Sequence, residues 1–166
     1  MSHIEKNITL GITVPAGIND VWAAWTTEAG VKSFFSPDCK VEPIVGGAYE
    51  MYFNPDAPDG ERGGEGNLIL AIQKPTMLSF TWNAPPTIPT VREQRTHVTV
   101  RLRALNDNRT LVTLYHDGWG EDADWEKALA YFQYAWEKIV LPRLQYRFEH
   151  GEVDWNDPPD LSSHAK

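Results

Sequence analysis

The sequence predicts an α+β fold in which a curved antiparallel sheet of six or seven strands is covered by one long C-terminal helix. Three observations predict it. Apolar and polar residues alternate in segment after segment up to His116, the period of half-buried strands. The later of these segments are separated by Gly, Pro, Asn and Asp rather than by helical stretches, so neighbours in sequence pair as neighbours in the sheet. After Gly120 the apolar period becomes three or four, that of an amphipathic helix.

Ile8, Leu10, Ile12 and Val14 share one face of a first strand that Pro15 stops. Asn19 to Thr26 reads as a short helix with Asn19 or Asp20 as its cap. A second helix is expected over 28–34, weakened by Gly30 and closed by Ser36-Pro37. Strands follow over 39–44, 48–53, 68–73, 77–82, 92–105 and 110–116. Gly46-Gly47, Asn54-Pro55-Asp56, Pro75-Thr76 and Asn106-Asp107-Asn108 can each reverse the chain between them. Trp125, Leu129, Phe132, Trp136 and Ile139 then form the stripe of the long helix, with Asp122 or Asp124 at its start. Pro142 should bend this helix or end its first part, and a last helical piece runs to about His150-Gly151. One domain over 1–155 is expected, with 156–166 a flexible tail.

The chain of 166 residues carries 15 Lys plus Arg against 23 Asp plus Glu, a net charge of −8. That sign repels phosphate backbones and anionic lipid, so neither nucleic acid nor a membrane surface is expected as partner. Cys39 stands alone, which excludes an intrachain disulfide. With no signal-like start and no apolar run of about 18 residues, a cytoplasmic location is expected. The acidic stretch 56–65 lacks the ligand spacing of a calcium loop, and the glycines at 60–66 lack the Lys-Ser/Thr ending of a phosphate loop. Neither metal nor cofactor is expected.

One excess remains: 7 Trp, 6 Tyr and 6 Phe. Alternation turns Tyr49, Met51 and Phe53, then Leu78, Phe80 and Trp82, towards the interior, together with Thr96, Val98, Val100 and Leu102. On the next strand Thr110, Val112, Leu114 and His116 face inward, while His97 faces solvent. Between sheet and helix these rings either fill a core or line an apolar pocket holding a few polar groups, Thr96 and His116 foremost.

The segments Asp20-Val21-Trp22-Ala23-Ala24-Trp25-Thr26, Phe34-Phe35-Ser36-Pro37, Gly46-Gly47-Ala48-Tyr49-Glu50-Met51, Thr96-His97-Val98-Thr99-Val100 and Leu114-Tyr115-His116-Asp117-Gly118-Trp119, in this order, resemble the AHSA1-like branch of the START/Bet v 1-like (SRPBCC) superfamily. The resemblance runs from Ile8 to Trp155. It implies a helix-grip fold with two short helices after the first strand and the long helix across the concave face, and it implies an apolar cavity more firmly than any reaction. Phe34 or Phe35 stands here where a tryptophan is common in that family.

The leading functional expectation is binding of a small hydrophobic, ring-containing molecule between sheet and helix. Its contacts would come from Phe35, Tyr49, Met51, Phe53, Phe80, Trp82, Thr96, Val98, His116, Trp119, Phe132 and Trp136. The first alternative is a cyclase, hydratase or hydrolase using His116 as acid or base, so whether the chain is an enzyme stays open. The second is a protein-interaction or co-chaperone-like module. Monomer and homodimer are both compatible with the sequence.

Overall fold

The computed structural model describes residues 6–161. The end of the predicted tail, 162–166, lies outside the described residues. Strand β1 (Ile8–Val14) is followed by helices α1 (Ile18–Thr26) and α2 (Glu28–Lys32). Strands β2 (Asp38–Val41), β3 (Tyr49–Tyr52), β4 (Ile69–Gln73) and β5 (Met77–Trp82) come next. A short helix α3 (Pro89–Arg92) precedes the long strands β6 (Thr96–Asn106) and β7 (Arg109–Asp117). The chain ends in α4 (Ala123–Tyr134), a π-helical stretch over Ala135–Val140, and α5 (Leu141–His150).

The five-stranded sheet has the order β1-β7-β6-β5-β4, all antiparallel, and β2 pairs with β3 in a second ribbon. An antiparallel bridge from Ala48 to Leu68 and the bond from Tyr49 N–H to Asn67 C=O carry the ribbon on beside β4. Seven strands curve around the composite helix in the predicted order, because each turn signal lies where the chain reverses.

The local differences have physical causes. Neither Asn19 nor Asp20 caps α1; its N-cap is Gly17, with no side-chain bond. Instead Thr27 caps α2, its hydroxyl accepting from Gly30 N–H at 2.9 Å. Gly30 is required there, since a Cβ would lie 2.1 Å from Ala23 O across the tight α1–α2 contact. Asp122 does cap α4, accepting from Trp125 N–H at 3.0 Å. The strand expected from Arg92 begins only at Thr96, because Pro89 opens α3 at the first helical turn.

Pro142 neither ends the helix nor breaks it. Its ring would crowd the carbonyl four residues back, and the turn before it widens, so that Leu141 N–H bonds Trp136 C=O, five residues behind. Beyond α5, Val153 N–H donates to Ser33 C=O at 2.9 Å and the Trp155 indole to Lys32 C=O at 2.6 Å. Arg143 covers the outer face of that indole. These bonds dock the segment around Val153 and Trp155 on the end of α2.

Candidate functional site

Alternation on β3, β5, β6 and β7 aims the predicted residues at α4 and the π-helical stretch, and most of them meet there as solid packing. Tyr49, Met51, Phe80, Val98, Phe35 and Trp136 are all fully buried. Trp25 contacts Phe34 and Phe35 edge-on at 5.1 and 5.6 Å, geometry that suits the charge distribution of the rings. Phe35 lies 5.8 Å from Trp82 and 5.7 Å from Trp136, and Tyr49 lies 4.4 Å from Phe80. The space beneath the helix is filled by these rings. Tyr49 sends its hydroxyl to Trp25 C=O at 2.7 Å, and burial raises its pKa well above the ordinary phenol value.

His116 is completely buried at the end of β7. The Trp136 indole N–H donates to its Nδ1 at 3.0 Å, which fixes the proton on Nε2. Nε2–H then donates to Thr96 Oγ1 at 2.6 Å, and the Thr96 hydroxyl donates in turn to Trp82 C=O at 3.3 Å. Trp119 and Phe132 pack against the imidazole in tilted arrangements, with ring centroids at 4.3 and 5.1 Å. Burial, with a smaller contribution from His97, pushes the His116 pKa down to about 3. Both ring nitrogens are engaged, so a reacting proton has nowhere to bind. Trp136, His116, Thr96 and the Trp82 carbonyl form a closed hydrogen-bonded chain inside the core.

An open volume lies beside this core, at the end of the sheet. A cleft of about 520 Å³ is walled by Phe53, Trp82, Tyr131, Phe132, Pro58, Pro85 and Pro86. Trp82 and Phe132 form its buried back wall, whereas Phe53 and Tyr131 are 45% and 47% exposed at its rim. Phe53 was expected to face the dry interior; β3 stops at Tyr52, and the side chain leans over the opening against Phe35 and Trp82 at 6.0 and 6.4 Å. Of the twelve predicted residues, Phe53, Trp82 and Phe132 line the cleft. The other nine stand in the core or, for Trp119, over His116.

The cleft keeps its shape through a polar network that sequence patterning missed. Arg92 reaches from α3 to donate to the carbonyls of Ala84, Gly60 and Gly63, the latter two at 2.7 and 2.9 Å. Burial lowers its pKa, and Glu65 faces it at 3.7 Å. The same Glu65 carboxylate accepts from the backbone of Gly60, Arg62 and Gly63. Asn67 links Gly64 C=O to Asn83 Oδ1, and Asn83 donates on to Gly63 C=O. Both cleft loops are therefore tied to one buried guanidinium. The acidic and glycine-rich composition of 56–66 was the available signal, and it marks loop architecture. Among the described residues no cluster of His, Cys, Asp and Glu has the makings of a metal site.

Elsewhere, Cys39 is buried and its pKa is pushed up to about 11, chiefly by burial, which leaves it an inert thiol. On the outer sheet face His97 Nε2 bonds Ser79 Oγ and His97 Nδ1 meets Asp117 Oδ1 at 3.1 Å. These are the residue types of a hydrolytic triad, laid flat across three strands. The Ser79 backbone belongs to the ladders with β4 and β6, which leaves no free amide to steady an oxyanion.

Comparison with solved structures places this architecture among known folds. A Mesorhizobium loti protein superposes with a TM-score of 0.69 at 18% identity, over 89% of this chain and 100% of that one. The Aha1 dimer from Colwellia psychrerythraea gives 0.65 at 21% identity, over 88% and 98%. An HSP90 activator from Plasmodium falciparum gives 0.63 at 16%, over 88% and 96%. No curated protein matches the sequence. Among the described residues no helix is long and apolar enough to cross a membrane. The family model described as Activator of Hsp90 ATPase homolog 1-like protein matches residues 15–149, and the chain belongs to that family.

Proposed function

We propose that this protein binds a small, apolar, ring-containing molecule in the cleft between the 54–64 loop, the 83–87 loop and α4, rather than beneath the long helix. One observation carries the reading: about 520 Å³ of open space has four aromatic rings and three prolines in its wall beside the polar Asn54, Glu61, Arg62 and Thr87, while the interior next to it is already packed. Apolar clefts of this size with a few polar groups are the usual setting of small-molecule sites. Trp82 and Phe132 supply flat surfaces, Phe53 and Tyr131 close over the ligand, and the exposed Asn54 and Thr87 with the loop backbone offer its polar contacts. His116 holds the back wall through Trp82 and Trp136. This role needs no catalysis, and it suits a soluble cytoplasmic carrier or sensor. A panel of aromatic and lipid-like molecules tests it by thermal shift and tryptophan fluorescence. Ligands that raise the melting temperature of the wild type and lose the effect in Phe53→Ala support the site; absence of any shift across the panel sinks it.

A second reading is that of a chaperone-activating module, as the Plasmodium falciparum neighbour is described. It is favoured by the exposed side chains of Ile44, Val45, Leu68 and Leu70 near the β4 edge, an apolar set of the kind that marks protein contacts. Stimulation of an Hsp90 ATPase that is lost in Val45→Asp with Leu70→Asp would favour this reading over the first.

A further inference from the structure

Among the described residues β1 is the edge of the five-stranded sheet that no other strand or backbone segment pairs, its outward side meeting only the Gln145 side chain, whose bond to Thr13 C=O leaves that carbonyl its second lone pair; β4, at the other edge, is met by residues 46–49. Residues alternate in the direction of their main-chain groups. Gln145 Nε2 donates to Thr13 C=O at 3.0 Å from the side away from β7, so Thr9, Gly11 and Thr13 present amides and carbonyls outward, while Ile8, Leu10, Ile12 and Val14 bond β7. Natural sheets usually blunt such an edge with charge, proline or a bulge. From Ile8 to Val14 this strand has none of the three.

The strand Ile8-Thr9-Leu10-Gly11-Ile12-Thr13-Val14 also reads nearly the same in both directions about Gly11. Two copies laid antiparallel on a two-fold axis through Gly11 place Gly11 opposite Gly11, Thr9 opposite Thr13, Leu10 opposite Ile12 and Ile8 opposite Val14. The outward-facing residues then fall into hydrogen-bonded pairs. Leu10 and Ile12 fall into the closer, non-bonded pairs, where side chains touch. A groove of about 520 Å³ between β1 and α5, lined by Leu10, Ile12, Leu141, Pro142 and Tyr146 among others, gives those side chains room.

Gly11 itself points the same way. A glycine within a strand costs stability, yet the single chain does not need this one: its φ is not positive, and an added Cβ would meet nothing nearer than Val112 O at 3.8 Å. A strand glycine without an internal reason marks the approach of another backbone.

We propose that β1 is a self-pairing edge through which two copies of this chain form a two-fold dimer with one continuous sheet. Each copy carries −8, and Glu137 and Glu149 border the groove, so pairing strengthens as salt screens that repulsion. Light scattering after size exclusion, with sedimentation over a concentration series at low and high salt, reads the assembly. The wild type is expected to dimerise, more tightly at high salt. Gly11→Pro removes an outward amide without touching the β7 ladder, and Gly11→Asp places like charges across the axis; each is expected to weaken the dimer about tenfold or more. Thermal melting checks that both variants fold, and the aspartate variant keeps the test open if proline disturbs the strand.

The register is read separately. In a Cys39→Ser background, Gly11→Cys is expected to cross-link on mild oxidation, since facing Cα atoms about 5.5 Å apart lie within disulfide reach. Leu105→Cys, exposed at the far end of β6, is expected to remain uncoupled. A wild type that is monomeric at every concentration and salt overturns the proposal. So does a dimer that survives Gly11→Asp unchanged, or one in which Gly11→Cys fails to cross-link, because the copies would then meet elsewhere.

Discussion

The packed interior and the open cleft are built from the same kind of side chain, only one ring apart, yet they have opposite character. Inside, Trp25, Phe34, Phe35, Tyr49, Phe80 and Trp136 interlock with centroids near 5 to 6 Å, and the buried Tyr49 hydroxyl and His116 imidazole have hydrogen-bond partners. At the cleft, Trp82 and Phe132 are buried on one side only, and the facing wall is a pair of loops held off by Arg92 and Glu65. Aromatic content alone therefore does not distinguish a site from a core. What distinguishes them is whether the segment opposite the rings can collapse onto them, and here a buried cation prevents it.

If the interior is as sealed as its geometry shows, truncation within it gives the largest effect. Trp136→Ala removes ring contacts with Phe35, Trp82 and His116 and leaves His116 Nδ1 without its donor. A loss of about 3–5 kcal/mol in urea unfolding is expected. A loss below about 1 kcal/mol would mean that the interior yields like the cleft, and the contrast would fall.

The next effect depends on pH. The folded state holds His116 neutral down to about pH 3, whereas in the unfolded chain it takes up a proton near pH 6.5. The unfolded state binds more protons between these values, so stability is intact above pH 6.5 and declines as the pH falls through that window, by about 1.4 kcal/mol per pH unit. His116→Phe should flatten this part of the profile. Identical wild-type and variant slopes between pH 6.5 and 4.5 would remove His116 from the sealed region.

The order of elements was legible in the sequence because period-two alternation and turn residues act locally; β5 begins and ends where its alternation does, at Met77 and Trp82. The inward row Thr96, Val98, Val100 and Leu102 was legible for the same reason. Alternation assigns a face but not what stands opposite, so it could not tell that Phe80 would meet Tyr49 while Phe53, only two residues past Met51, would hang over solvent. Arg92 was hidden more deeply. Its partners are main-chain carbonyls of loops 8 to 32 residues away, and no side-chain pattern encodes such acceptors. Pro142 announced an irregularity, and the structure answers it with a widened turn over Ala135–Val140, an outcome that the sequence pattern, which offered a bend or a stop, does not encode.

Arg92→Met tests what holds the cleft open. It keeps much of the aliphatic stem and leaves the carbonyls of Ala84, Gly60 and Gly63 without their donor. A cost of about 1–3 kcal/mol is expected, together with faster proteolysis in the 54–64 loop, since segments of low local stability open first. An unchanged cutting rate would show that Glu65 and Asn67 suffice, and that the cleft owes its shape to them.

The smallest change in stability should accompany the most selective change in binding. Phe53 is 45% exposed, with ring contacts to Phe35 and Trp82 at 6.0 and 6.4 Å, so Phe53→Ala should cost less than about 1 kcal/mol in unfolding. Its ring nevertheless forms one wall of the cleft, and a lost ring contact of about 1.4 kcal/mol weakens a ring-containing ligand about tenfold. Phe80→Leu, at a ring fully buried against Tyr49 and Trp82, should do the reverse, lowering stability while leaving the affinity of the folded protein nearly intact. Fluorescence titration of both variants, beside their urea midpoints, separates the two regions directly. If Phe53→Ala binds as the wild type does and Phe80→Leu does not, the ligand enters the interior, and the rings there are lining after all.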